Sequence, residues 1–305
     1  MQERVAVILG PTATGKSHCA IELAKRLNCE IISGDSMYVY KGMDIGTAKP
    51  TAEEMQGIPH HMIDICEPDE DFSVSRYCEM ATPIIDDILA RGKTAIIAGG
   101  TGLYMDSLIR GTDFAPFPST GVRERLEQEP IEDVYARLQV IDPEAAARIH
   151  PNDEKRTLRA LEVFYTTGKP YSTFLTRKTL RNGEGQDQQN LRPFRILKIG
   201  LERPREELFS RINTRVDQMV NQGLLHEAMT LLPQREQNAL NTVGYKEMFN
   251  VLDGTWELQM AIERIKKNTR VYAKKQMTWF KHDSTITWFH PDDRESILKH
   301  INMHL

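Results

Sequence analysis

The stretch that decides the fold is RVAVILGPTATGKSHCAIELAKRL, residues 4–27. It begins with an apolar run of strand length closed by Gly10. From Lys16 the pattern changes, and Cys19, Ala20, Leu23, Ala24 and Leu27 recur at helical spacing. Between the two lies GPTATGKS, which fits G-x-x-x-x-G-K-[ST] in the strand-before, helix-after setting that makes this pattern specific. Gly10, Pro11, Thr12, Ala13, Thr14 and Gly15 then form a loop whose backbone N–H groups, at a helix N-terminus, face an anion. Lys16 adds a mobile positive charge, and the Ser17 hydroxyl is suited to ligate Mg²⁺. The loop alone does not say which phosphate compound it holds. A kinase, a nucleotide-driven switch, and an enzyme that hydrolyses no nucleotide all use one.

Reading outward, EIISGDS (30–36) is a second buried-strand pattern. SVSRYCEMATPIIDDILARG (73–92) is a helix pattern with Ser73 as N-cap and an interruption at Pro83. KTAIIAGGTGLY (93–104) is a strand running into glycines. This alternation predicts an α/β fold: a P-loop NTPase-like parallel sheet with helices on both faces and ligands at the carboxyl ends of its strands. From Phe114 the character changes. PFPSTG (116–121) breaks the pattern, and helical, charged segments run to about residue 180. RNGEGQDQQN (181–190) reads as a mobile loop, and FRILKIGL (194–201) as a strand that rejoins the sheet. The expected domains are a core of 1–113 with 191–305 and a helical insertion of 114–190. Beyond it, 205–223 reads as a helix ending on Gly223, 257–282 as a long helix, and STITWFH (284–290) as a late strand.

The chain has 305 residues, 40% hydrophobic and 27% charged, long enough for two modest domains. No stretch approaches the roughly 18–20 apolar residues that span a bilayer, and VAVIL is too short for a signal-peptide core, so a cytoplasmic protein with no membrane partner is expected. Cys19, Cys29, Cys66 and Cys78 form no C-x-x-C pair and signal neither zinc nor a disulfide framework. A net charge of -4 argues against a wholly basic nucleic-acid binder and leaves local patches open.

Candidate site residues cluster after the strands. Asp35 is placed at the sheet edge that carries the phosphate loop, either as a general base or as a turn aspartate. Asp44, Thr47 and Lys49 are further candidates in the same segment. GGTGLY (99–104), with Thr101, is either a second phosphate-facing turn or only a tight strand exit. Arg211 and Arg215, four apart on one helix face, either clamp a diphosphate or form a solvated face paired with Glu207 and Asp217. The helix around 263–281 holds Arg264, Lys266, Lys267, Arg270, Lys274, Lys275 and Lys281 against one acid, Glu263, with Tyr272, Trp279 and Phe280 interleaved. Such a stripe suits a nucleic-acid backbone, or it is a basic surface helix whose aromatics face the core. Arg156 and Arg159 add basic residues in the insertion.

GPTATGKS, SGDSMYVYKGMDIGTAKP, PHHMIDI, GGTGLY, RALEVFYTTGKP, NTVGYKE and KKQMTWF, in this order, resemble the tRNA dimethylallyltransferase (tRNA isopentenyltransferase) family over nearly the whole chain. The resemblance implies transfer of a dimethylallyl group from dimethylallyl diphosphate to N6 of adenosine 37, in tRNAs reading codons that begin with U, with release of diphosphate. The phosphate loop would then hold an isoprenoid diphosphate. Asp35 would take the amine proton, while Lys16, the loop amides, Mg²⁺ on Ser17, Thr101, and Arg211 or Arg215 would stabilise the leaving group. Carried over segment by segment, the anticodon stem-loop of tRNA would be met by Asp35, Ser36, Met37 and Tyr38, and by Thr101. It would also be met by Arg123, and by Arg159, Ala160, Leu161, Glu162 and Val163. Leu240, Asn241, Thr242, Val243, Gly244 and Tyr245 follow, then Ala273, Lys274, Lys275, Gln276, Met277, Thr278, Trp279 and Phe280. Many relatives carry glutamine in place of Tyr38, so stacking in place of hydrogen bonding is expected there. The flipped adenosine would enter a channel leading to the diphosphate, and a monomer is expected. A nucleoside kinase and a nucleotide-regulated RNA-binding switch are the competing classes.

Overall fold

The computed structural model describes residues 4–111, 121–175 and 194–304. It opens with β1 (Arg4–Leu9), α1 (Lys16–Leu27), β2 (Glu30–Ser33), the single-turn α2 (Ala52–Met55) and the two-residue β3 (His60–His61). Then come α3 (Val74–Ala90), β4 (Ala95–Gly99) and α4 (Gly102–Arg110). Short helices follow: α5 (Val122–Leu126), α6 (Ile131–Ile141), α7 (Pro143–Arg148), α8 (Glu154–Thr167) and α9 (Tyr171–Leu175). The chain continues with β5 (Arg195–Leu201), α10 (Arg205–Asn221), α11 (Leu224–Leu231), α12 (Tyr245–Leu252), α13 (Leu258–Lys281), β6 (Thr287–Phe289) and α14 (Arg294–His304).

All six strands are parallel, in the order β3-β2-β4-β1-β5-β6. β1 is central: Val5 is matched to Ala95 on one side and Ile196 on the other. Val5, Ala6, Val7 and Ile8 are each 0% exposed, so consecutive residues, which point to opposite faces, are all covered. That is the burial a parallel sheet needs, and it is why β1 reads as a continuous apolar run without alternation. On one face Ala6, Ile8, Ile31 and Ile199 pack with Ala20, Leu23 and Ala24 of α1 and Ile297 and Ile301 of α14.

Two compact units divide the chain, Met1–Gly111 with Asn190–Leu305, and Thr112–Gln189. The second has its own core of Val134, Leu138, Ala145, Leu158 and Leu161. Its buried Asp142 accepts hydrogen bonds from the N–H of Ala145 (3.0 Å) and Ser172 (2.7 Å), capping α7 and anchoring α9 with one carboxylate. The expected boundaries at 113/114 and 190/191, residues 116–120 of the Pro-rich break and the polar run 181–190 lie outside the described residues.

Two local expectations are corrected. Pro83 does not interrupt α3, which runs through it, and Ser73 caps the helix by accepting from Arg76 N–H. Gly223 does follow the C-cap of α10, in left-handed backbone (φ 105°) with its N–H donating to the Val220 carbonyl at 3.1 Å, and it also opens α11. The second and last strands are shorter than their apolar runs, ending at Ser33 and Phe289.

The strand exits fix where the site lies. A Cβ built on Gly99, at the end of β4, would sit 2.2 Å from the carbonyl oxygen of Gly34 just beyond β2. The two exits therefore touch backbone to backbone, and only glycine permits it. Gly99→Ala is expected to lower stability by about 1–3 kcal/mol, the usual range for overpacking; chemical denaturation at equilibrium measures it, and an unchanged midpoint would show that the two turns separate freely.

Candidate active site

The phosphate loop folds as its sequence requires. Ala13 takes a φ of 62° and Gly15 a φ of 101°, which turns the chain sharply before α1 begins at Lys16. Its carbonyls are engaged by the protein: Pro11 accepts from Thr14 Oγ1 and Lys16 Nζ, both at 2.8 Å, Ala13 from Arg211 Nε at 2.9 Å, and Thr14 from Arg203 Nε at 3.0 Å. Arg215 Nη1 donates to Thr12 Oγ1 at 3.0 Å. With the carbonyls turned to these donors, the loop offers a ligand the positive end of α1.

Arg211 and Arg215 thus reach back to the phosphate loop. The partners considered for them go elsewhere: Glu207 pairs with Arg203, and Asp217 with Lys266. Arg203 is the site residue that pattern reading missed. It follows β5, its side chain is 5% exposed, and Glu207 and Asp292 hold it. Its position at the carboxyl end of a strand was the available signal. Glu207, His290 and Asp292 bring ligand atoms within 4.8 Å of one another, but both carboxylates are already paired with this guanidinium.

Asp35 lies just past β2, on the wall of a cavity of about 920 Å³ that it shares with Thr12, Lys16, Ser17, Arg211 and Arg215. The turn reading is seen directly: its Oδ1 accepts from Met37 N–H at 2.9 Å, and the residue also lines the cavity. Burial pushes its carboxyl above the usual carboxylate range, opposed by the Met37 N–H and the charges of Lys16 and Arg215. Burial also lowers the Lys16 ammonium to about 8, partly offset by Asp35 and assisted by Arg215.

Thr101 caps the sheet edge in a different way from that expected. Its hydroxyl accepts from Ser36 N–H at 3.0 Å and donates to Ser36 Oγ at 3.2 Å, joining the exits of β2 and β4. Gln276, carried over as an RNA contact, lines the cavity, and its buried amide also accepts from Thr12 N–H (2.9 Å) and donates to Gly100 carbonyl (2.8 Å), stapling the phosphate loop to the second glycine turn.

The remaining carried-over positions divide by burial. Ser36, Met37, Tyr38, Thr242, Val243 and Gly244 line the cavity, and Lys274, Lys275, Thr278 and Asn241 are exposed. Leu240, Tyr245, Ala273 and Phe280 have buried side chains, as do Ala160, Leu161 and Val163, so these side chains serve the cores of their units. Half-buried Trp279 donates from Nε1 to Asp106 Oδ2 at 3.0 Å. Arg159 donates to Glu162 at 2.9 Å, and Arg123 pairs with Glu127 at 3.1 Å. In the basic helix, Lys266 pairs with Asp217, Lys281 with Glu202, and Arg270 donates to Asn213. The stripe is therefore partly an internal network. Of its three aromatics, Tyr272 alone lines the cavity while its ring stays 43% exposed.

The model of the IPP transferase family matches residues 38–283. The chain belongs to this family. A tRNA dimethylallyltransferase of Anoxybacillus flavithermus is 46% identical over 99% of this chain and 95% of its own. One of Thermoanaerobacter sp. is 47% identical over 96% and 93%. Among solved structures, the tRNA isopentenylpyrophosphate transferase of Bacillus halodurans is 42% identical with a TM-score of 0.72, covering 99% of this chain and 95% of that one. A eukaryotic dimethylallyltransferase acting on tRNA aligns with a TM-score of 0.81 at 31% identity, over 99% of this chain and 76% of its own. The family's fold, a parallel six-stranded sheet with helices, is the one seen here.

In this IPP transferase, Gln276→Leu would strand the Thr12 N–H and the Gly100 carbonyl, at about 1–3 kcal/mol for each buried group left unpaired. The variant is expected to melt lower and to bind inorganic diphosphate about tenfold more weakly. Calorimetric titration checks the second effect; an undiminished affinity would mean the staple does not shape the anion loop.

Proposed function

We propose that this chain transfers the dimethylallyl group of dimethylallyl diphosphate to N6 of adenosine 37 in tRNA, with release of diphosphate. The observation that carries the reading is the placement of Asp35 in one cavity with the phosphate loop, Lys16 and two arginines. A buried carboxylate with a raised proton affinity beside the lysine suits removal of a proton from an exocyclic amine as that amine is alkylated.

That amine is a weak nucleophile because its lone pair is delocalised into the purine ring. In the step, the bond from N6 to the allylic carbon forms while the bond from that carbon to the diphosphate oxygen breaks. The electron pair leaves with the diphosphate, and Asp35 takes the N6 proton. Lys16, the loop amides, Arg211 and Arg215 face the growing negative charge, and burial strengthens each of these interactions. The Ser17 hydroxyl at the start of α1 and the oxygens of a bound diphosphate form an all-oxygen donor set that suits Mg²⁺, which when bound would neutralise leaving-group charge. The exposed Lys274 and Lys275 and the rim residues Tyr38, Thr242 and Val243 are the groups offered to the anticodon stem-loop. Among the described residues no helix is long and apolar enough to cross a membrane. We place the work of a monomer in the cytoplasm, beside its tRNA.

Incubation with Mg²⁺, dimethylallyl diphosphate and an unmodified tRNA bearing A36 and A37 is expected to give N6-dimethylallyladenosine, read by mass analysis of the nucleosides. Phosphoryl transfer from ATP with no such product would replace this reading with a kinase.

Asp35→Asn is expected to lower kcat by about 10²–10⁴-fold while inorganic diphosphate still binds. The profile of kcat/KM against pH is expected to be bell-shaped. Its acid limb, where Asp35 gains a proton, lies above the ordinary carboxylate range, and its alkaline limb, where Lys16 loses one, lies near about 8. In kcat the alkaline limb moves to higher pH, since bound diphosphate favours the ammonium. An acid limb at the pKa of an ordinary aspartate would remove the burial argument.

A further inference from the structure

The segment GMDIGTAKP (42–50) supplies Gly46, Thr47, Ala48 and Pro50 to the cavity wall but belongs to no strand or helix. Buried Lys49 braces its far end, donating from Nζ to Asp44 Oδ1 and the Tyr40 carbonyl, both at 2.6 Å, and to Asp64, while Thr47 Oγ1 donates to the Met43 carbonyl. The backbone of residues 44–46 is held from outside by one carboxylate on α11, nearly two hundred residues away in the chain. Glu227 Oε2 accepts from the N–H of Asp44 (3.0 Å) and Ile45 (2.7 Å), and Oε1 accepts from the N–H of Gly46 (2.8 Å) and the hydroxyl of Tyr245 (2.7 Å). Four donors converge on two oxygens. Tyr245 is fully buried, and its ring packs so tightly on Gly46 that a Cβ there would sit 2.6 Å from it.

The wall held this way connects to the reaction centre. Ala48, two residues beyond the clamp, accepts through its carbonyl from the Tyr38 hydroxyl at 2.8 Å and from Arg215 Nη2 at 3.4 Å. Arg215 in turn binds Thr12 of the phosphate loop. Against Gly46 lies the turn of Thr242, Val243 and Gly244, also on the cavity wall and held by a second carboxylate, Glu247, accepting from Gly244 N–H at 2.8 Å. The phosphate loop has its own supports in Arg203, Arg211 and Gln276, independent of Glu227.

We propose that Glu227 is a positioning residue for the acceptor side of the transfer site: its carboxylate holds residues 44–46 so that the wall formed by Gly46, Thr47 and Ala48 presents the incoming adenosine to Asp35. The proposal rests on the transferase reading above. Glu227 touches neither substrate and acts through the backbone it clamps. Loss of one acceptor oxygen is enough to disturb it, because an amide in its place turns an NH₂ group toward backbone donors.

The experiment compares Glu227→Gln and Tyr245→Phe with the parent enzyme, using steady-state kinetics with tRNA varied at saturating dimethylallyl diphosphate, and inhibition by inorganic diphosphate. Product formation by the parent is measured first, and its absence would count against the transferase reading alone. With an active parent, Glu227→Gln is expected to lose about tenfold or more in kcat/KM for tRNA while its diphosphate inhibition constant stays within about twofold, because misplacing a bound group by a fraction of an ångström is costly to rate. Tyr245→Phe, which removes one donor of four, is expected to lose less with the same split. An unchanged kcat/KM for tRNA in Glu227→Gln would overturn the proposal. So would a parallel loss of diphosphate affinity, which would mark Glu227 as a general support of the fold.

Discussion

The transfer proposed for this chain puts a carboxylate and a diphosphate in one cavity, on whose wall burial desolvates both Asp35 and Lys16. Two anions a few ångströms apart repel strongly when burial lowers the effective dielectric constant. The site resolves this with interposed cations. Lys16 stands beside Asp35, and Arg215 bears on both. The same burial that makes the arrangement difficult makes it useful, since it raises the proton affinity of Asp35 while leaving Lys16 and the arginines to face the anion. A solvated aspartate would be a weaker base, and the Met37 N–H, Lys16 and Arg215 each favour the carboxylate against the effect of burial.

That balance needs rigid placement, and the fold provides it through strand exits. The exits of β2 and β4 meet at Gly34 and Gly99, whose backbones touch, and Gln276 of α13 ties the loop after β1 to the turn after β4. Arg203, Arg211 and Arg215 approach the phosphate loop from beyond β5. Each of these ties uses a backbone atom or a hydroxyl of the loop, so the geometry of the anion site is set before any ligand arrives.

Much of this was legible in the residues. The apolar run 4–9, the loop 10–17 and the helical spacing after it required a strand, an anion turn and a helix, because only glycine and a helix N-terminus together present backbone donors in that way. The repeat of strand and helix required a parallel sheet, and Asp35 and Gly99–Thr101 then had to fall on the edge that carries the first loop. The motifs also carried the family, to which the match over residues 38–283 assigns the chain. Pro83 was misread because local propensity is a weak force beside packing, and a helix held by its buried face tolerates one missing hydrogen bond.

What the sequence by itself determined is local: which segments are strand or helix, which loop turns sharply into a helix N-terminus, and which carboxylate lies on its edge. Spacing along the chain carries that information, because backbone geometry repeats every few residues. The tertiary structure alone decided which long side chains meet which backbone atoms. Arg211 and Arg215 could have faced solvent with Glu207 and Asp217; folding turned them to Ala13 and Thr12. Gln276 stands in a basic helix and reads as surface, yet it is buried between two glycine turns. Glu227 lies in no motif, and Tyr245 was read only as an RNA contact, yet their grip on residues 44–46 joins positions nearly two hundred apart. Such pairings depend on where helices dock, and docking is a property of the whole packed core.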